Sequence, residues 1–114
     1  MNRETLIQNV IQNYGQYGIT KEDIEPLINE SEKDGLSYEL IYFNLQLALA
    51  DCLELKYFLC TARQMARAFG VSDDRMLEII KEISNELMVK ENGLDDYIKI
   101  PVEIGEKFLH QSRE

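Results

Sequence analysis

The side chains in this sequence that could make or break bonds are few. His110 is the one histidine, and Cys52 and Cys60 are the two cysteines. A zinc site needs about four ligands at close spacing, and His110 stands far from both cysteines, so no metal site is expected. The cysteines read as small, reduced, buried hydrophobes. A bridge between them is open, but nothing requires it. The sequence has no phosphate-cradling glycine loop and no nucleophile elbow, so neither a cofactor nor an enzymatic activity is expected. His110 falls near the end of a predicted helix, where a cation suits the helix dipole. Asp95 and Asp96 fall in a turn that their side chains help to form.

What remains is the chemistry of charge and hydrogen bonding. Arg63, Gln64, Arg67, Ser72, Arg75 and Lys81 cluster between residues 61 and 81, and Lys90 follows. Such side chains contact phosphate oxygens and base edges. Asp73, Asp74 and Glu78 lie among them. These acids accept from cytosine amino groups or from a basic protein, and phosphates repel them. Asp73 and Asp74 also have a purely structural use, since acids in the first turn of a helix gain about 0.3–1 kcal/mol each from its dipole.

The whole chain carries 12 Lys and Arg against 21 Asp and Glu, a net charge of −9. That balance opposes nucleic-acid binding, because Lys and Arg on phosphates supply most of the non-specific affinity. What counts, however, is the local field. Residues 1–60 hold ten acids and four bases, and residues 82–114 hold eight acids and four bases. Only residues 61–81, with three acids and four bases, are not acidic.

A chain of 114 residues suits one domain, here 1–114, with a hydrophobic fraction of 45% to build its core. The longest mostly apolar stretch, 40–55, is interrupted by Asn44, Gln46, Asp51 and Glu54. It predicts a buried helix rather than a membrane span. Met1 leads straight into an amphipathic pattern with no secretory leader, so a cytoplasmic location is expected.

Leu6, Ile7, Val10, Ile11 and Tyr14 predict an amphipathic helix over 4–14, ended by Gly15 and Gly18. Thr20 with Asp23 predicts the next cap. Ile24, Leu27 and Ile28 form the apolar face of that helix. Pro26 argues for a start near Glu25, which places it in the first turn, and Asp34-Gly35 closes the helix. Ser37 opens a third helix to about Leu53, apolar nearly all round and therefore central. Residues 57–60 predict a short strand. Residues 87–90 and 97–100 predict a hairpin around Asn92-Gly93. A final helix follows Pro101, weakened by Gly105.

Residues 61–87 carry the most specific pattern. Thr61 with Gln64 forms a capping box, Ala66 is small where a second helix must cross, and Phe69 packs inward. Gly70 supplies a positive backbone angle, Val71 fills the corner, and Ser72 caps a second helix. Met76, Ile79, Ile80, Ile83 and Leu87 stripe that helix. This pattern resembles the helix-turn-helix superfamily. With the helix and strand before it and the hairpin after it, residues 37–100 resemble winged-helix domains. The fold class expected is mainly α with a small β-hairpin, a winged-helix core over 36–114 preceded by a helical extension over 1–35.

In resembling domains the second helix enters the major groove. The resemblance implies a small cytoplasmic DNA-binding transcription regulator, dimeric through residues 4–34, that contacts duplex DNA with Arg63, Gln64, Arg67, Ser72, Arg75, Lys81 and Lys90. The acids at the corresponding positions depart from the usual pattern. They support the alternative: an acidic protein-interaction module or inhibitor, phage- or plasmid-borne and imitating DNA charge, that offers Asp73, Asp74 and Glu78 to a basic partner.

Overall fold

The computed structural model describes residues 1–83, 94–95 and 97–112. Its elements are α1 (Arg3–Tyr14), α2 (Lys21–Lys33), α3 (Tyr38–Cys52), β1 (Tyr57–Thr61), α4 (Ala62–Phe69), α5 (Asp73–Ile83), β2 (Tyr97–Pro101) and α6 (Val102–Ser112). Among the described residues the architecture is mainly helical with one two-stranded antiparallel sheet.

Local signals place most of the helix starts. Asn2 Oδ1 accepts from the Thr5 amide at 2.8 Å, and Ser37 Oγ accepts from the Leu40 amide at 3.2 Å. The Asp23 carboxylate accepts from both the Thr20 amide and the Thr20 hydroxyl. One expectation fails here. Helix α2 begins at Lys21 rather than near Glu25, so Pro26 lies inside it. An interior proline costs about 3 kcal/mol. Ile24 and Ile28 flank it and are fully buried, each contributing about 1.5–3 kcal/mol. Keeping both on one helical face outweighs the proline, which is itself exposed.

Helix α3 is the shared wall of two apolar clusters. Ile41, Tyr42, Leu45 and Leu49 pack with Leu6, Val10, Tyr14, Ile24 and Ile28 of α1 and α2. Phe43, Leu47 and Ala50 pack with the sheet, α4, α5 and α6. All four phenylalanines of the sequence meet in the second cluster. The Phe43 ring lies 5.3 Å from Phe58, 5.0 Å from Phe69 and 6.5 Å from Phe108, edge-on to each. Gly105 is what lets α6 approach: a Cβ there would stand 2.7 Å from the Phe58 ring. A residue that weakens the helix in isolation is thus required by its packing.

Polar atoms join the two halves. Gln46 on α3 is fully buried. Its Oε1 accepts from the Tyr14 hydroxyl at 3.2 Å, and its Nε2 donates to the Leu59 carbonyl at 2.9 Å. Desolvation pushes the Tyr14 hydroxyl above its ordinary range, so it stays protonated and donates.

The sheet pairs β1 with β2 in register Tyr57↔Pro101 to Thr61↔Tyr97. Phe58, Cys60, Ile98 and Ile100 face the core, while Tyr57, Leu59, Tyr97 and Lys99 face outward. The returning strand expected at 97–100 therefore has β1 as its described partner. The strand expected at 87–90 and its Asn92-Gly93 turn lie outside the described residues. Cys60 is buried as expected, but Cys52 is exposed, because it falls on the same exposed face of α3 as Ala48 and Asp51. Among the described residues no helix is long and apolar enough to cross a membrane.

Candidate interaction surface

Helices α4 and α5 are built as their spacing predicts. Thr61 Oγ1 accepts from the Gln64 amide and Gln64 Oε1 accepts from the Thr61 amide, both at 3.0 Å. Gly70 takes a φ of 68°, the left-handed conformation that a β-branched residue resists. The Val71 amide then bonds back to the Ala66 carbonyl. Ser72 Oγ accepts from the Arg75 amide at 3.1 Å. Met76 and Ile80 are buried beneath α5, with Ile79 at the margin.

This frame holds the cations close to acids of the same chain. Arg63 stands at the start of α4. Its Nε donates to Asp95 Oδ1 at 2.7 Å, and its Nη1 lies 3.3 Å from Asp73 Oδ2. The Asp95 hydrogen bond holds the Arg63 guanidinium above its ordinary pKa. The strut is doubled in the backbone, where the Arg63 amide donates to the Leu94 carbonyl at 3.1 Å. Arg75 Nη1 sits 3.2 Å from Glu78 and 3.6 Å from Glu82. Gln64 is committed to the capping box, and Ser72 to the cap of α5.

Arg67 and Lys81 are exposed, and among the described residues neither forms an ion pair. Arg63, Gln64 and Arg67 line one cleft of about 310 Å³ together with Glu39, Asp95 and Tyr97. Of the candidate cations, Arg63 and Arg67 therefore share this cleft, and Arg75 and Lys81 lie outside it. Lys90 lies outside the described residues, as does Asp96. Of the acids, Asp73 and Glu78 are paired with arginines, and Asp74 is exposed.

The partner that the spacing does not reveal is Asp95. It reads as a turn residue, and it is a turn residue, but it lies 32 positions from the arginine it binds. No local pattern signals that contact. Among the described residues no group of three or more His, Cys, Asp or Glu is arranged to hold a metal ion. No protein-family model, curated protein or solved structure matches this chain.

Proposed function

We propose that this chain is a protein-interaction module on a winged-helix scaffold, which engages a basic partner and does not read duplex DNA. The observation that carries this reading is the position of Arg63 between Asp95 and Asp73. A cation already hydrogen-bonded to two carboxylates has little left for a phosphate, and phosphate contacts supply most DNA affinity. Arg75 donates to Glu78 and lies within ion-pair distance of Glu82, so it too is partly compensated. The α4–α5 face is therefore close to charge-compensated, and the excess of acids resides elsewhere, chiefly in residues 1–60.

A transcription-regulator reading draws on Arg67 and Lys81, the cations of this face that form no ion pair among the described residues. It predicts duplex affinity that falls steeply with salt. A dimer through residues 4–34 would have to use the outer faces of α1 and α2, since Leu6, Val10, Ile24 and Ile28 are already covered within the chain. The interaction-module reading takes the monomer as the working form.

Fluorescence anisotropy separates the two readings. At about 50 mM salt the protein should leave a labelled duplex of about 20 base pairs unbound and bind a Lys-rich helical peptide. Salt-sensitive binding to the duplex, without binding to the peptide, would overturn the proposal.

A further inference from the structure

One side of α4 carries a cation that the chain leaves unmatched. Arg67 follows Gln64 by three residues and Arg63 by four, so the three side chains share one side of the helix. All of them line the cleft of about 310 Å³. Tyr97 lines it from β2, where its register opposite Thr61 brings it beside the first turn of α4.

The charges of this cleft pair off with one left over. The Met1 ammonium donates to Glu39 Oε1 at 2.9 Å, and Arg63 Nε donates to Asp95 Oδ1 at 2.7 Å. Glu39 and Asp95 are the two carboxylates of the lining. Asp73, the second carboxylate on Arg63, does not line the cleft. Among the described residues the Arg67 guanidinium makes neither an ion pair nor a hydrogen bond.

Two neutral donors accompany it. The capping box commits Gln64 Oε1 to the Thr61 amide, which leaves the Nε2 end of the same side chain with both hydrogens to donate. Because the box fixes Gln64, this donor is held in place before a ligand arrives. The Tyr97 hydroxyl makes no hydrogen bond among the described residues, and Tyr97 is 59% exposed. A guanidinium fork, an amide and a phenol together lack one thing, an anionic acceptor.

We infer that this cleft binds a small organic monocarboxylate with a flat apolar body. Arg67 takes the carboxylate as a bidentate pair, Gln64 Nε2 and the Tyr97 hydroxyl donate to its oxygens, and the Tyr97 ring walls its body. One negative charge is what the site balances. A phosphate dianion would bring a second charge against one unmatched cation, with Glu39 and Asp95 nearby to repel it. The volume lies at the lower end for ligand pockets and suits a small molecule. The ligand is an anion, whereas the partner of the interaction-module reading is basic, so the site stands or falls independently of that reading.

Benzoate is the probe, with benzamide as its neutral counterpart of similar shape, and acetate and inorganic phosphate as further arms. NMR titration reads the Gln64 side-chain amide and the Arg67 Nε–H directly. Benzoate should shift both signals saturably, acetate should do so more weakly, and benzamide and phosphate should leave them unmoved. Arg67→Gln should weaken benzoate binding about tenfold or more, since it removes both charge and fork. Gln64→Glu keeps the capping box, in which Glu serves as well as Gln, but sets a carboxylate where the donor was. It should weaken binding as strongly. Tyr97→Phe should weaken it severalfold, and Lys81→Gln, outside the cleft, should leave it unchanged.

A wild-type protein that gives no saturable shift with benzoate overturns the inference. Arg67→Gln and Gln64→Glu proteins that melt cooperatively and bind as the wild type does also overturn it. Benzamide binding as well as benzoate would make the site apolar, and phosphate binding more tightly would make it a phosphate site. Either result overturns the assignment to a carboxylate. The duplex and Lys-rich peptide titrations test the interaction-module reading separately, and none of these outcomes alters them.

Discussion

Arg63 and Asp95 are joined by a 2.7 Å hydrogen bond that ties the first turn of α4 to the residues just before β2. Asp73, in the first turn of α5, closes on the same guanidinium from the other side. One side chain thus links three parts of the chain and is neutralised in doing so.

Removing those two carboxylates should release the arginine. Asp73→Asn with Asp95→Asn is expected to raise duplex DNA affinity from none measurable to a weak, salt-dependent level, with little change in stability because the Asp95 pair is exposed and the Asp73 pair is only partly buried. Anisotropy titrations at two salt concentrations check this. A variant as inert as the wild type would show that pairing is not what keeps the arginine from phosphates.

Gln46 should be among the least replaceable polar residues. Gln46→Leu leaves the Tyr14 hydroxyl without its acceptor and the Leu59 carbonyl without this donor, at an expected total of about 2–4 kcal/mol. Tyr14→Phe removes only one end of the chain of bonds and should cost about 1 kcal/mol. Urea denaturation of the two variants measures the difference. A Gln46→Leu protein as stable as the wild type would contradict the role assigned to the buried amide.

Gly105→Ala tests whether packing overrides helix propensity. In an open helix the change stabilises by about 0.5–1 kcal/mol. Here the new methyl meets the Phe58 ring at 2.7 Å and Leu47 at 3.1 Å, and overpacking costs about 1–3 kcal/mol. The melting temperature should fall. A rise would mean that α6 does not approach β1 so closely.

The two thiols should behave as different chemical species. Burial pushes the Cys60 thiol up to about 12, and only a thiolate is nucleophilic. A chromogenic disulfide reagent at pH 8 should therefore titrate one thiol quickly, that of Cys52, and the second only at the rate of global unfolding. Two fast thiols would contradict the burial of Cys60.

Much of the candidate surface was legible because its determinants are local. The Thr61–Gln64 box, the left-handed Gly70 and the Ser72 cap each bond within a few residues, so spacing alone implies them. The stripe through Met76 and Ile80 follows from helical period in the same way. Tyr38–Cys52 reads as a central helix because its apolar residues cover nearly every side, and it is the wall between two clusters.

Other features depended on docking. Pro26 sits inside α2 because Ile24 and Ile28 find a shared cluster, which no capping rule anticipates. Leu27 has the spacing of a core residue and is left half in water, since the α1–α3 cluster closes without it. Strand β2 pairs with β1 across the whole α4–α5 segment, a choice made by long-range register rather than by turn chemistry.

The charges show the division most sharply. By itself the sequence determined that residues 61–81 form two capped helices bearing four cations and three acids, because those bonds and counts are local. Whether those cations stand free was decided only by the tertiary structure. Bringing Asp95 to Arg63 takes a contact across 32 residues, and its geometry exists only once the strands have paired.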